Sequence, residues 1–316
     1  MVSIQNIQEM VTGRISFSEP LSKFTTFRVG GPADIYIEPA TEEEICKLVS
    51  YFTEQKFPYI VLGNGSNVLI SDEGIRGAVI NLERSFGYME VHGDIVTAGA
   101  GILLSRFVEQ CVQHGLQGVE MLAGIPGTLG GAIRMNAGAY GTEISDRLVE
   151  IKVVRNGKIA AMPREEGEFA YRSSALQKVI ILEARFHLSS ADPVLLRERR
   201  KELLLKRNMS QPTNLPNAGS IFKNPPGDFA ARLIESCGLK GVREGSAVVS
   251  EKHANFIVNI GGATARDILT LIHRVQSAVF EQTGVFLEPE IRFIGFPEEE
   301  INGLVNPPES PQGVTS

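Results

Sequence analysis

Residues 118–141 read GVEMLAGIPGTLGGAIRMNAGAYG and contain seven glycines. Glycine loses more backbone entropy on folding than any other residue, so this density is expected only where φ is positive or where another group approaches the backbone closely. Backbone N–H groups in such a run can bind a phosphate without a lysine. The segment therefore predicts a site for a phosphate-bearing or flat cofactor. The alternative is a structural loop whose glycines form bulges and turns.

A second candidate anion site follows the predicted strand Tyr59–Leu62. The sequence continues as Gly63-Asn64-Gly65-Ser66-Asn67 and returns at once to the apolar run Val68–Ile70. Glycines and small polar side chains between two strands can bind an anion through their N–H groups. No helix begins there and the G-x-G-x-x-G spacing is absent, which excludes the Rossmann dinucleotide fingerprint. A plain hairpin turn is the alternative.

The composition is ordinary for a globular protein without an extended charged surface. The chain of 316 residues has room for two or three domains, and 43% of it is hydrophobic. Its 31 basic and 37 acidic residues are mixed along the chain and give a net charge of −6. The sequence has no basic stripe of the kind that binds nucleic acid. An anionic ligand would therefore have to be bound by a few residues at one site.

The three cysteines, Cys46, Cys111 and Cys237, are far apart and lack metal-ligand spacing. This pattern is typical of reduced thiols, and we expect neither a disulfide nor a metal site. The first residues lack the basic and apolar regions of a signal peptide, and no apolar run approaches the roughly 18 residues of a membrane span. We therefore expect a cytoplasmic protein that does not span a membrane.

The remaining periodicity predicts strands that alternate with helices. Helices are expected after Thr41, over 104–112 and over the charged segment 197–208. We interpret the last of these as the connector to a further domain. Asn156-Gly157 predicts a hairpin between two strands.

The last third of the chain predicts a small α+β domain. Strands are expected at Ser220–Lys223, Phe256–Asn259 and Val285–Leu287, with a long helix over 264–282. Residues 297–316 are rich in Pro, Glu, Gly and Ser, and we expect them to be disordered.

Three polar side chains lie at turns or strand ends and could carry chemistry. Arg172 follows Tyr171 and could grip a carboxylate or stabilise an enolate, unless it forms a surface ion pair. Ser220 follows a glycine and could hand over a proton, unless its hydroxyl only forms local hydrogen bonds. Glu290 lies between apolar residues and could act as an acid, unless it pairs with Arg292.

The motifs of hydrolases and metalloenzymes are missing from the sequence. There is no Ser-His-Asp order, no H-E-x-x-H and no Walker loop, and the five histidines are scattered. From the residues alone, the prediction stops at a phosphate-bearing cofactor together with a carboxylate-bearing substrate.

Seven segments nevertheless stand in a characteristic order: FRVGGPADIYI (27–37), VLGNGSNVLI (61–70), AGIPGTLGGAIRMNAGAYG (123–141), FAYRSS (169–174), PNAGSIFKNP (216–225), HANFIVN (253–259) and LEPEIRFIG (287–295). Together they resemble the UDP-N-acetylenolpyruvoylglucosamine reductase (MurB) family. The resemblance implies an α+β protein with a two-subdomain FAD-binding fold of the vanillyl-alcohol-oxidase (PCMH) type and a C-terminal α+β substrate domain. The implied limits are 1–72 and 73–196 for the FAD-binding subdomains, 197–296 for the substrate domain and 297–316 for a disordered tail.

The resemblance also implies an activity. A family member reduces UDP-N-acetylglucosamine enolpyruvate to UDP-N-acetylmuramate for peptidoglycan, with NADPH as reductant and noncovalent FAD as cofactor. Reducing equivalents reach C3 of the enolpyruvyl group, Arg172 and Glu290 hold the charge at C2 and the carboxylate, and Ser220 protonates C2. We expect a monomer that acts without nucleic acid or membrane.

The family's cofactor contacts fall on both glycine-rich segments of this sequence. The implied contacts with the FAD pyrophosphate are Gly63, Asn64, Gly65, Ser66 and Asn67. The implied contacts along the rest of the cofactor are Gly124, Pro126, Gly127, Gly130, Gly131, Asn136 and Gly138.

Two departures affect how the nucleotide end of the substrate would be bound. Only a short segment separates Arg172 from Arg197, so the chain resembles the shorter, second type of the family, which lacks a closing tyrosine loop. Ser210 stands where many relatives have a lysine that meets the diphosphate. Lys206, Arg207 or Lys223 could replace that lysine.

Two other classes of protein could carry the same glycine-rich loops. An oxidase of the same fold passes electrons to oxygen, and many of these bind FAD covalently through a histidine near the phosphate loop. No histidine lies between Val61 and Ile70. A nucleotide-binding module without activity would not need Arg172, Ser220 and Glu290 together.

Overall fold

The computed structural model describes residues 2–306 of the chain. Within this range the helices are α1 Ile4–Met10, α2 Glu42–Glu54, α3 Leu104–Gln113, α4 Leu129–Arg134, α5 Pro193–Ser210, α6 Ala230–Ser236, α7 Ala265–Thr283 and α8 Glu298–Val305. No helix in the described part is both long and apolar enough to cross a bilayer.

The strands of the described range are short except in one sheet. They are β1 Arg14–Pro20, β2 Pro32–Glu38, β3 Tyr59–Val61, β4 Val68–Ile70, β5 Ile75–Ile80, β6 Met89–His92, β7 Ile95–Gly99, β8 Leu116–Gln117, β9 Gly138–Ala139, β10 Thr142–Glu143, β11 Leu148–Arg155, β12 Lys158–Pro163, β13 Ile180–His187, β14 Ser189–Ser190, β15 Arg243–Glu244, β16 Ala247–Val249, β17 Ile257–Asn259 and β18 Arg292–Ile294.

The chain forms two compact units that alternate along the sequence. Within the described range, the first unit comprises residues 2–19, Ala33–Ser66 and Arg76–Ser210, and the second comprises Pro20–Pro32, Asn67–Ile75 and residues 211–306. Each unit has its own hydrophobic core. This division does not separate the two predicted FAD-binding subdomains 1–72 and 73–196, which stay a prediction.

The first unit contains a four-stranded sheet in the order β1-β2-β5-β3 and a five-stranded sheet in the order β12-β11-β13-β7-β6. All neighbours in the five-stranded sheet are antiparallel. The predicted hairpin at Asn156-Gly157 is confirmed, and both residues have positive φ angles of 51° and 72°. Two positive φ angles in a two-residue turn match the right-handed twist of the flanking strands, which explains the Asn-Gly pair.

Helix α5 belongs to the first unit, whereas the sequence analysis placed residue 197 at the start of the substrate domain. The reason is a buried carboxylate that the charge pattern did not reveal. Glu120 is 3% exposed and accepts a hydrogen bond from the N–H of Gly118 at 2.6 Å, and Arg199 of α5 pairs with it at 3.2 Å. Leu196 and Leu203 bury the apolar side of the helix. A buried carboxylate needs such a partner, so α5 packs where Glu120 lies.

The second unit is built around α7, and the predicted ends of this helix are confirmed. Thr264 and Asp267 form a capping box at its start, and Gly284 ends it with a φ of 71°. Two of the predicted strands are wrong. Residues 220–223 form only an isolated bridge between Phe222 and Pro289, and the closing strand is β18 at Arg292–Ile294 rather than 285–287.

The early segment Asn67–Ile75 joins the second unit through specific contacts. β4 pairs in parallel with β18, so β3 and β4 do not form a hairpin and that alternative is wrong. Asp72 accepts hydrogen bonds from the N–H groups of Ala265 and Arg266 at 2.8 and 3.0 Å. A carboxylate at the N-terminus of a helix satisfies unpaired N–H groups and interacts favourably with the helix dipole. These contacts explain why residues 67–75 leave the first unit.

The expected disorder of residues 297–316 is wrong for 298–305, which form α8. Leu304 of this helix is fully buried in the core of the second unit. Gln276 donates hydrogen bonds to the carbonyls of Leu287 and Leu304 at 2.8 and 2.9 Å. Burial of Leu304 and the bridging amide of Gln276 hold this short acidic helix, which composition alone suggests is disordered. Residues 307–316 lie outside the described part.

We expect Leu304→Ala to lower the free energy of unfolding by about 2–5 kcal/mol, because the substitution leaves a cavity in a closed core. Val305→Ala is the matched control, since Val305 is 45% exposed and should change stability by less than about 0.5 kcal/mol. Denaturant unfolding of both variants measures the difference. Equal stability of the two variants would mean that α8 does not pack against the second unit.

Candidate active site

The two glycine-rich segments of the first unit lie against each other. A Cβ atom on Gly63 would overlap the hydroxyl of Thr128, and one on Gly127 would lie 2.6 Å from the hydroxyl of Ser66. Ser66 also donates a hydrogen bond to the carbonyl of Pro126 at 3.1 Å. A side chain at position 63 or 127 would therefore have to displace the Thr128 or Ser66 hydroxyl. The two predicted anion sites therefore form one continuous surface.

The loop after β3 is held in place by a buried side chain. Asn81, which is 3% exposed, donates its side-chain amide to the carbonyl of Leu62 at 3.0 Å. Among residues 2–306, the backbone N–H groups of Asn64 and Ser66 donate to no protein acceptor. N–H groups that remain unpaired in a loop of fixed shape are suited to bind phosphate oxygens.

The N–H groups of Gly130 and Gly131 in α4, which were candidates to bind an anion, have acceptors within the protein. The N–H of Gly130 donates to the carbonyl of Ala100 at 2.8 Å, and that of Gly131 lies 3.4 Å from the hydroxyl of Thr128, which caps the helix. Both N–H groups thus have a protein acceptor in the structure. A further reason for glycine at position 130 is that a Cβ there would lie 2.9 Å from the methyl of Ala100. Contact of these glycines with FAD stays a prediction.

Asn136 combines full burial, a positive φ of 44° and an unsatisfied acceptor. Its side-chain nitrogen donates to Glu143 at 2.6 Å and to the carbonyl of Ala170 at 3.1 Å. Its side-chain oxygen is buried without a partner in the described part of the chain. Because burying an unpaired acceptor costs free energy, an N–H or O–H of a ligand is the expected partner.

Arg172 lies close to the segment that contains Asn136 and Gly138. Its φ is 54°, its guanidinium lies 5.0 Å from the ring centre of Tyr171, and it donates to the carbonyl of Gly138 at 3.0 Å. The neighbouring Ser174 donates to the carbonyl of Arg134 at 2.7 Å. A non-glycine residue with positive φ is a strained position that the surrounding contacts must hold. The structure thus brings Arg172, Asn136 and Gly138 together.

Arg207 of α5 is a second cation, besides Arg172, near the glycine-rich segments. A Cβ on Gly124 would lie 2.9 Å from its side chain, and its Nε atom is buried without a hydrogen-bond partner among the described residues. Burial lowers the pKa of the Arg207 guanidinium, the phenol of Tyr140 opposes this effect, and the positive charge of Arg172 lowers it further. Two guanidinium groups that repel each other favour an anion bound beside them.

The other two cations proposed for the diphosphate already have carboxylate partners. Lys206 pairs with Glu202 at 2.7 Å on the surface of α5. Lys223 pairs with Glu288 at 2.6 Å in the second unit. Arg207 is therefore the best candidate of the three to replace the missing lysine.

Ser220 and Glu290 both lie in the second unit, on neighbouring segments. Glu290 donates its backbone N–H to the carbonyl of Ile221 at 2.8 Å, and both side chains are half-buried. Gly219 has a φ of 77° and a Cβ there would meet nothing within 4 Å, so backbone conformation is the reason for this glycine. The structure brings together two of the residues singled out in the sequence.

Asn67 belongs to the second unit and contacts the Glu290 segment. Its side-chain amide donates to the carbonyl of Glu290 at 3.1 Å, and its own carbonyl accepts from Arg292 at 3.1 Å. Contact between Asn67 and the FAD pyrophosphate stays a prediction. The hydrogen bonds seen here give Asn67 a role in holding Glu290.

Sequence reasoning missed the buried asparagines Asn81 and Asn255. Asn81 follows the apolar strand β5, and Asn255 lies between the buried residues Ala254 and Phe256. An amide inside an apolar run is the signal that could have found them, because a buried amide must have hydrogen-bond partners.

The residues of the first unit fit a flavin dinucleotide. The loop supplies backbone N–H groups next to glycines that pack against the Thr128 and Ser66 hydroxyls, which suits a pyrophosphate. Asn136 supplies an unpaired acceptor, which suits a ring N–H. No acidic side chain is needed for either contact.

Comparison with known proteins agrees with this geometry. Residues 33–160 match the model of an FAD binding domain, and residues 211–294 match that of the UDP-N-acetylenolpyruvoylglucosamine reductase C-terminal domain. The reductase of Chloroherpeton thalassium is 45% identical over 94% of this chain and 99% of its own length. Reductase 2 of Symbiobacterium thermophilum is 46% identical over 90% and 93%. The chain belongs to the UDP-N-acetylenolpyruvoylglucosamine reductase family.

A solved structure of this family confirms the fold. The crystal structure of UDP-N-acetylenolpyruvylglucosamine reductase (MurB) from Thermus caldophilus superimposes with a TM-score of 0.78 at 38% identity, covering 89% of this chain and 98% of that one. The predicted α+β fold with an FAD-binding domain of the vanillyl-alcohol-oxidase (PCMH) type is therefore confirmed, and FAD is the cofactor of the chain.

We expect Gly127→Ala to weaken FAD binding about tenfold, because overpacking against Ser66 costs about 1–3 kcal/mol and 1.4 kcal/mol is a factor of ten. Gly261→Ala is the control for backbone strain, since Gly261 has a φ of 117° against 118° for Gly127 and no atom within 4 Å of its Cβ position. Flavin fluorescence during titration of apoprotein with FAD gives both dissociation constants. Equal FAD affinity of the two variants would mean that contact between a side chain at position 127 and Ser66 does not disturb the flavin site.

Proposed function

We propose that this chain reduces UDP-N-acetylglucosamine enolpyruvate to UDP-N-acetylmuramate, with NADPH as reductant, in the synthesis of peptidoglycan precursors. The observation that carries the proposal is the hydrogen bond from the Glu290 backbone to Ile221, which puts an acid and a hydroxyl on adjacent segments of a chain that also has an FAD-binding domain. A nucleotide-binding module without activity would have no need for this pair.

Each residue has a distinct role in the proposed reaction. Bound FAD supplies the two-electron transfer that links NADPH to the substrate. Reduction at C3 of the enolpyruvyl group leaves negative charge on C2 and its carboxylate. Arg172 holds that charge, because a planar guanidinium can donate two parallel hydrogen bonds to a carboxylate. Glu290 would assist Arg172 at C2, and Ser220 would donate the proton that completes the saturated product.

Arg207 is proposed to bind the diphosphate of the substrate. Its unpaired Nε atom and its position near Arg172 make it the cation with the most to gain from an anion. A guanidinium is also suited to phosphate geometry because its donors form a rigid fork.

The experiment that tests the activity is an anaerobic absorption spectrum of the purified holoprotein. NADPH should bleach the flavin band, and the enolpyruvyl sugar nucleotide should restore it in the absence of oxygen. Recovery only on admission of air would identify an oxidase instead. Failure of NADPH to bleach the band would reject NADPH as the reductant.

We expect Arg207→Met to raise the KM for the enolpyruvyl substrate at least tenfold, because a hydrogen bond to a charged group is worth about 1.5–3 kcal/mol. Methionine keeps an unbranched side chain beside Gly124, so packing is largely preserved. Lys206→Met is the matched control, because Lys206 is exposed and already paired with Glu202. Steady-state kinetics measures both variants. An unchanged KM for Arg207→Met would exclude the diphosphate contact.

We expect Ser220→Ala to leave NADPH-dependent bleaching close to normal and to slow recovery with the enolpyruvyl substrate about 10²–10⁴-fold, the usual value of general acid catalysis. Stopped-flow absorption separates the two half-reactions. If Ser220 only shapes the turn after Gly219, both halves should slow equally and flavin content should fall.

A further inference from the structure

The segment around Ser220 has no regular secondary structure to fix its position. Among the described residues of 217–224, only Phe222 takes part in a bridge, and it pairs with Pro289. Ile221 and Phe222 are nevertheless each 1% exposed. Buried backbone groups need hydrogen-bond partners, so other parts of the second unit must supply them.

Asn255 supplies these partners. Its side-chain nitrogen donates to the carbonyl of Phe222 at 2.8 Å, and its side-chain oxygen accepts from the N–H of Phe222 at 3.0 Å. Its backbone carbonyl accepts from the N–H of Ile221 at 2.9 Å. The residue is 3% exposed. The Asn255 side chain therefore supplies the hydrogen bonds to the Phe222 backbone that a neighbouring strand would otherwise supply.

A second segment holds the same residues by backbone contacts alone. The carbonyl of Ile221 accepts from Glu290 at 2.8 Å, and the N–H of Lys223 donates to the carbonyl of Glu288 at 2.8 Å. Residues 221–223 thus have two sets of contacts, one to Asn255 and one to the segment of Glu290. The position of Ser220 relative to Glu290 depends on both.

Only asparagine suits this position. The Phe222 peptide groups require a donor and an acceptor at one buried point, and the amide offers both on a short side chain. Alanine would leave both backbone groups unpaired, and aspartate would place a carboxylate oxygen against the Phe222 carbonyl. In either case the Ser220 segment would gain freedom while Glu290 keeps its own contacts with Asn67.

We propose that Asn255 is a positioning residue for the hydroxyl of Ser220, a role that rests on the proposed function of Ser220 as proton donor. The Asn255 amide acts through the Phe222 backbone and does not touch the substrate. Its removal should slow reduction of the enolpyruvyl substrate, which needs the serine proton. Reduction of the flavin by NADPH, which does not need that proton, should be spared.

The test compares Asn255→Ala with Asn259→Ala in the holoprotein. Asn259 is the matched control, because it is 5% exposed, lies in the same unit and also holds backbone, donating to Phe27 and accepting from Gly261 and Ala263. For Asn255→Ala we expect recovery of the flavin band with the enolpyruvyl substrate to slow about 10²-fold, since a 1 Å misplacement of a reacting group costs about that much. Bleaching by NADPH should change little in either variant.

Two further measurements distinguish positioning from a general loss of stability. Hydrogen exchange at residues 217–224 should be faster in Asn255→Ala than in Asn259→Ala. The double variant Ser220→Ala/Asn255→Ala should be no slower in the second half-reaction than Ser220→Ala, because positioning has no effect once the hydroxyl is gone. If Asn255→Ala is too unstable to purify, Asn255→Asp keeps the acceptor and is subjected to the same measurements.

The outcomes separate failure of the inference from failure of the proposed function. If Ser220→Ala recovers slowly but Asn255→Ala slows both half-reactions alike, or if the two substitutions multiply, the positioning role is wrong and the serine role stands. If Ser220→Ala recovers at the wild-type rate, the proton-donor role is wrong and the positioning role fails with it.

Discussion

The close approach of two backbone segments at Gly63 and Thr128 is the constraint on which the site in the first unit depends. Thr128 fills the space that a Cβ on Gly63 would need, and the same hydroxyl caps α4. Its position therefore determines both where the loop after β3 lies and where α4 begins. Because Asn64 and Ser66 make no backbone hydrogen bonds of their own in the described chain, the loop keeps donors for a ligand only while this contact holds.

In the second unit, polar side chains in place of regular strands hold the candidate site segments in position. Asn255 holds the Ser220 segment, Asn67 holds the Glu290 segment and Asp72 caps α7. Asn255 and Asn67 replace backbone partners that a longer strand would have supplied, whereas Asp72 satisfies N–H groups at the start of α7. Such contacts hold a particular backbone geometry more specifically than apolar packing does, because a hydrogen bond fails when donor and acceptor shift by a few tenths of an ångström.

Two cations of the first unit lie close enough to influence each other. The positive charge of Arg172 lowers the pKa of the Arg207 guanidinium, and the Nε of Arg207 is buried without a partner in the described part. The buried Glu120, by contrast, pairs with Arg199. Neighbouring positive charges favour a bound phosphate or carboxylate, because an anion relieves their repulsion.

Local patterns in the sequence determined the ends of α7 and the Asn156-Gly157 hairpin, because caps and turns depend on only a few neighbouring residues. They also singled out Arg172, Ser220 and Glu290 as candidates. The family, with its FAD-binding fold, was also recognisable from the order of its motifs. Only the tertiary structure decided that β4 pairs with β18, that Gly130 serves packing and that α8 is ordered. These features depend on partners far away in the chain: the burial of Leu304 and the hydrogen bonds of Asn255 are absent from any local window.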